Sequence, residues 1–169
     1  MLALLETLFD IIRLRKGPDA LPYSWALCLV VLMLWVVAGF AITLTTPEMD
    51  DRDFLVAMLT SVMGLACYAA IIVLRGRTSR LLQTVTAIVG CGTLLSFLSV
   101  AADVSLSSML GDATANIVVT LVLLWSVPVE GHIMARAIDR HWYVGILIAM
   151  AVFILQLYLF ALLNPDPTA

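Results

Sequence analysis

Apolar residues run almost unbroken through five stretches of the chain, at about 24–44, 54–74, 81–102, 116–137 and 142–163. A helix needs about 20 such residues to cross a hydrocarbon core of about 30 Å, and each stretch meets that length. The pattern predicts an all-α, integral membrane five-helix bundle, a single transmembrane domain over residues 1–169. Ahead of the first span the pattern changes. Leu2, Leu4, Leu5, Leu8, Phe9, Ile11 and Ile12 recur at near-helical spacing around Glu6, Asp10 and Arg13. That spacing predicts an amphipathic interfacial helix over residues 1–16, stopped by Gly17-Pro18. Its two places are the headgroup plane, with the basic end on anionic lipid, and the protein's own cytoplasmic face. A signal peptide begins basic and then turns apolar; this segment has Glu6 and Asp10 inside it and its basic residues last, so it does not read as one.

Polar positions inside the spans divide the helices by role. The first span has Ser24 as a candidate cap, Tyr23 and Trp25 at the level of an interfacial belt, and almost no polar interior, which suits a lipid-facing helix. In the second, Thr60, Gly64 and Cys67 share a face. The third carries two sets of small residues, Gln83, Thr86, Ala87 and Gly90, then Gly92, Ser96 and Ser99. Such stripes let backbones approach closely in lipid, where apolar burial drives little. The third span is therefore expected at the centre of the bundle, with a polar pore lining as the sharper reading of the same residues. Gly145 and Ala149 give the fifth span a close-packing face. Between spans, Thr45–Asp53 (TTPEMDDRD) reads as a solvated acidic turn. Asp103–Ala115 reads as a loop whose SLSSML makes one interfacial turn, and the tail NPDPTA is too short for a domain.

Charge fixes the expected orientation. Only 12% of residues are charged and 63% are hydrophobic, against about 25% charged in soluble domains. Eight of the nine basic residues fall on one side of a five-span chain: Arg13, Arg15 and Lys16, then Arg75, Arg77 and Arg80, then Arg136 and Arg140. Cytoplasmic loops carry that excess, so the N-terminus is expected inside and the C-terminus outside, with these residues as headgroup contacts. A bacterial inner membrane is the expected location. No basic cluster is interleaved with aromatics, which argues against nucleic acid. Cys28, Cys67 and Cys91 lie in apolar runs without CxxC spacing and read as packing residues.

Chemistry concentrates in the fourth span, whose inner end reads LVLLWSVPVEGHIMARAIDR over Leu121–Arg140. Glu130 falls in the inner half of the bilayer, where an acid must be protonated, paired or wetted. Pro128 lacks an N–H, frees the Leu124 carbonyl and invites a kink. Ser126, one turn from Glu130, is a donor either to it or to that loosened backbone. Glu130 and His132 are two residues apart, so they point to nearly opposite sides, and each needs a partner from another helix. Gln83, Arg80 and Arg77 are candidates at similar depth. One reading is a proton or cation relay, or a headgroup pocket. The other, preferred from sequence, is a structural polar clamp between the third and fourth spans, with His132 and Arg136 reaching to the interface. One Glu and two separated histidines, His132 and His141, are too few for a metal site. No GxSxG or HExxH pattern occurs, and nothing calls for a cofactor.

The segment W-x5-G-H-I-x3-A-I, from Trp125 through Gly131, His132 and Ile133 to Ala137 and Ile138, resembles small proteobacterial inner-membrane proteins. Five spans, N-in and C-out, with a short outer tail and an amphipathic lead-in, also look like the Yip family, whose eukaryotic members associate with Rab GTPases. The long cytoplasmic region of those members has no counterpart here, so GTPase binding does not carry over. The resemblance implies a non-enzymatic scaffold or interaction protein that organises membrane or assembles a complex, with membrane lipids and a protein partner or a second copy as its contacts. The alternative is a small transporter or channel using Glu130.

Overall fold

A computed structural model describes residues 2–45 and 50–164. Positions 46–49 of the acidic turn and 165–169 of the tail lie outside the described residues. All regular structure among the described residues is helical. Helix α1 covers Leu2–Ile12, and five long helices follow: α2 Trp25–Thr45, α3 Asp51–Leu74, α4 Leu81–Leu110, α5 Asp112–Ala137 and α6 Trp142–Leu163. Each of the five is long and apolar enough to cross a membrane, which makes this an all-α, multi-pass membrane bundle.

Three span boundaries lie more than one residue from the sequence expectation, in each case because polar residues beyond the apolar run remain helical. α3 starts at Asp51, because Asp50 accepts from Asp53 N–H at 2.7 Å and Asp53 accepts back from Asp50 N–H, a reciprocal capping box. The expected loop Asp103–Ala115 is helix almost throughout. α4 continues to Leu110, and only Gly111, at φ 85°, separates it from α5. Loss of apolar character at Asp103, Ser105 and Ser107 marks the end of the hydrocarbon, while the backbone goes on helically until a residue with positive φ interrupts it.

α4 is the most connected element. It packs on α5, α2 and α1 and touches α3, as its small-residue stripe predicted. The chain of extensive contacts runs α2, α4, α5, α6, α3, and a lighter α2–α3 contact closes it into a ring. Phe40 stacks on Phe54 at 4.9 Å in that last seam. Thr84, Thr86 and Thr93 on α4 turn their hydroxyls back to the carbonyls four residues earlier, so they pack as apolar surface. α5 and α6 approach most closely where Gly131 meets Gly145. A methyl added to Gly145 would overlap the Gly131 carbonyl oxygen and stand 2.8 Å from Ala135 N. Pro128 sits inside α5, which continues on both sides of it.

One end of the bundle gathers the basic segments. There α1, α3 and α5 finish alike, with the N–H of Arg15, Arg77 and Arg140 reaching back to the carbonyls of Asp10, Ile72 and Ala135. The residue before each has positive φ: Leu14, Gly76 and Asp139. These are Schellman-type ends, each setting an arginine beside the negative end of a helix dipole. Arg77 and Arg80 pair with Asp139 at 2.7 and 2.8 Å, and Arg80 also donates to the Arg136 carbonyl. At the opposite, acidic end Arg52 is committed too, donating to the last carbonyl of α6, Leu163 O, at 3.1 Å, while Asn164 donates to Asp53.

The Asp139 tie has a pH signature. The Arg80 hydrogen bond, with Arg77 close by, holds the Asp139 carboxyl below its ordinary value of 3.8. Its contribution is therefore complete above pH 3.8 and is lost as pH falls through that value toward the folded pKa. Acidification from pH 6 to below 4 is expected to lower the melting temperature of the parent more than that of Asp139→Asn. Asparagine also tolerates the left-handed backbone. Asp139→Val should cost more than Asp139→Asn at every pH, and thermal unfolding in detergent at several pH values checks both statements.

The amphipathic segment is seated in the bundle. Leu8 and Ile11 are buried, Ile11 completely. Leu8 fills the space left by Gly90, with its methyls 3.0–3.4 Å from where a Cβ would be. Cys91 Sγ donates to Leu8 O at 3.8 Å and Trp125 Nε1 to Ile12 O at 3.2 Å. Packing on the protein is thus an observed role of α1, and Arg13, Arg15 and Lys16 remain exposed beyond it.

Candidate functional site

The fourth span sends its two ionisable residues opposite ways, as their spacing requires. His132 is buried rather than reaching to the interface, and its Nε2 lies 3.1 Å from the carbonyl of Lys16, in the segment that follows α1. Glu130 turns toward the centre of the ring and accepts from Tyr68 Oη at 2.6 Å. Neither meets the partners the sequence suggested. Gln83 donates to Leu21 O at 2.6 Å and clamps the lead-in to the first span. Arg77 and Arg80 stay with Asp139. Ser126 donates to Leu123 O at 2.7 Å, neither to Glu130 nor to the Leu124 carbonyl. Arg136 and Arg140, like Arg75, are exposed at the basic end.

Tyr68 is the site residue that sequence reasoning missed. It belongs to a buried face of α3, Thr60, Gly64, Tyr68 and Ile72, at strict four-residue spacing. Reading Cys67 into that face hid it. The available signal was a phenol in mid-span, whose hydroxyl needs a partner once out of water.

Glu130 and Tyr68 form the floor of a cavity of about 990 Å³ to which all five spanning helices contribute. Its polar wall comes from α4 and α5. Gly92, Ser96 and Ser99, the second small-residue set, line it on one side, and Asn116 and Ser126 on the other. Ser61 and Gln156 complete the lining from α3 and α6. Gln156 lies over Gly64 and donates to Thr60 O at 3.3 Å, an arrangement that a side chain at Gly64 would block. The two stripes of the third span therefore have different jobs. Thr86, Ala87 and Gly90 are buried in packing, whereas Gly92, Ser96 and Ser99 face open space.

The cavity reaches Asp103, Ser107 and Asp112 at the acidic end. From Asp112 to Glu130 is eighteen residues of α5, about 27 Å at 1.5 Å per residue. On the other side of Glu130 the protein is solid. Ile72, Ile133, Met134 and Ala137 are completely buried, in one core with Ile11 and Tyr68. The bundle is hollow toward its acidic end and packed toward its basic end, with Glu130 at the boundary. Among the described residues Glu130 has no ion-pair partner, and no three His, Cys, Asp or Glu side chains converge as a metal site would need. Comparison with protein-family models, curated proteins and solved structures finds no match.

Proposed function

We propose that this is a small, non-enzymatic membrane transporter, N-in and C-out in a bacterial inner membrane, which admits a solute from its acidic, outer end down to Glu130. The observation that carries the reading is the cavity walled by all five spans and blocked beneath its floor by a dry core. Ligand sites are concave, largely apolar and provided with a few aimed polar groups, and in membranes ionisable residues mark solute pathways. A scaffold has no use for a hollow at the centre of its bundle, and a clamp would bury Glu130 between packed helices. Exposed Arg13, Arg15, Arg75 and Arg140 at the opposite end suit anionic headgroups, so membrane lipid remains a contact in this reading.

The test is alternating access at Ser126. A Ser126→Cys variant is treated with a charged, water-soluble thiol reagent, from either side of the membrane, with the parent and Thr86→Cys as references. Reaction is expected readily from the acidic side and more slowly from the basic side, as the core beneath Glu130 opens. Thr86→Cys, buried in packing, should stay unreactive. A Ser126→Cys protein as inert as Thr86→Cys from both sides would sink the proposal.

A further inference from the structure

We infer that the cavity accepts a monovalent organic cation with an apolar body, its positive centre placed against the Glu130 carboxylate. This rests on the transport reading above and names the solute class. Among the described residues three acids line the cavity, Asp103, Asp112 and Glu130, and no Lys, Arg or His does. Acids of one sign between low-dielectric walls focus the field along the cleft and concentrate cations in it. Glu130 is the terminus of that path, and among the described residues its hydrogen-bond partner is the neutral Tyr68 hydroxyl. A carboxylate there lacks a compensating charge that an incoming cation supplies.

The same lining decides among cations. A divalent metal needs several oxygen ligands in one place, but two of these acids are at the mouth and one at the floor, and among the described residues no three such side chains form a cluster. A bare alkali ion would use only the polar side of the lining and leave its apolar side, Leu65, Ile88, Val89 and Phe153, without a partner. An apolar body satisfies those walls, and one charged centre satisfies one carboxylate. Trp35 and Phe153 also line the cavity, and aromatic rings of this kind attract organic cations. The amine of a zwitterionic lipid is excluded on the same ground, since its phosphate would meet no base in the lining. About 990 Å³ is ample for a cation with aromatic or branched substituents.

The experiment uses two probes of one shape and opposite charge, tetraphenylphosphonium and tetraphenylborate, as protectants of Ser126→Cys against the thiol reagent. Protection by tetraphenylphosphonium alone is expected. Glu130→Gln, which retains size and an acceptor for Tyr68, should raise the half-protecting concentration about tenfold to a hundredfold, as loss of a charged partner does. Ready labelling with protection by neither probe, or by both equally, overturns the cation assignment while the open cavity stands. Absence of labelling overturns the cavity reading and this inference with it. If Glu130→Gln fails to insert, the pair Asp103→Asn and Asp112→Asn at the mouth reads the same field. Their protection by the cation should be weaker than the parent's at low salt and equal at high salt, and equality at both overturns the assignment.

Discussion

Gly145→Val is expected to abolish the folded bundle, with loss of monodisperse protein in detergent and at least about 3 kcal/mol of stability where any remains, the upper end of overpacking costs. The neighbours of Gly145 are backbone. Gly131 O and Ala135 N stand where its side chain would be, and Gly131 in turn lies against the backbone of Ile146. No rotamer change relieves that overlap, so the two helices must separate. In lipid their association depends on close van der Waals fit rather than on burial from water, and separation forfeits most of it. Gly92→Val is the matched control. Nothing stands within 4 Å of a Cβ at Gly92, so that variant should fold normally and only narrow the cavity. Thermal unfolding of both variants decides the point, and equal stability would mean that the α5–α6 crossing is looser than the Gly131–Gly145 approach requires.

Ile11→Ala carries the second large effect. Ile11 is completely buried, and the group around it includes Leu8, Ile133 and Met134. Removing three carbons from such a site costs 2–5 kcal/mol in water-soluble proteins, part transfer and part cavity. In a bilayer the transfer part shrinks, because an undocked α1 keeps its apolar face in the interface. The expectation is therefore about 2 kcal/mol, near the bottom of that range. Phe9→Ala, on the exposed face of the same helix, should change stability little. Urea or thermal unfolding of the two variants distinguishes a docked helix from one that merely rests on lipid: a surface-bound α1 would be weakened by either change or by neither.

The bundle was legible in the sequence because apolar run length alone selects membrane helices. Residues 81, 137, 142 and 163 were placed as the structure has them. Helix ends away from the hydrocarbon were not legible. Polarity reports the solvent and not the backbone, so Asp103–Leu110 looked like loop while remaining helix. The basic segments were legible as a group, and the structure brings them to one end. Their pairwise contacts were not, since nothing in Arg77 or Arg80 reveals that Asp139, rather than Glu130, would claim them. At the site, the opposed directions of Glu130 and His132 followed from helical geometry alone. Which small-residue stripe packs and which lines a cavity did not. Gly90 and Gly92 are two positions apart on one helix, and only the seating of Leu8 against the first separates their roles.

The docking of α1 also orders events during synthesis. Its seat is made from Gly90 and Cys91 on α4 and from Trp125 and His132 on α5, all translated long after Ile12 has left the ribosome. Helix α1 is thus made well before its seat is complete. At synthesis rates of about 5–20 residues per second, Leu8 and Ile11 wait several seconds for their partners. An amphipathic helix with Arg13, Arg15 and Lys16 at its end is suited to spend that interval on the membrane face. The completely buried Ile11 marks the place where that helix finally docks.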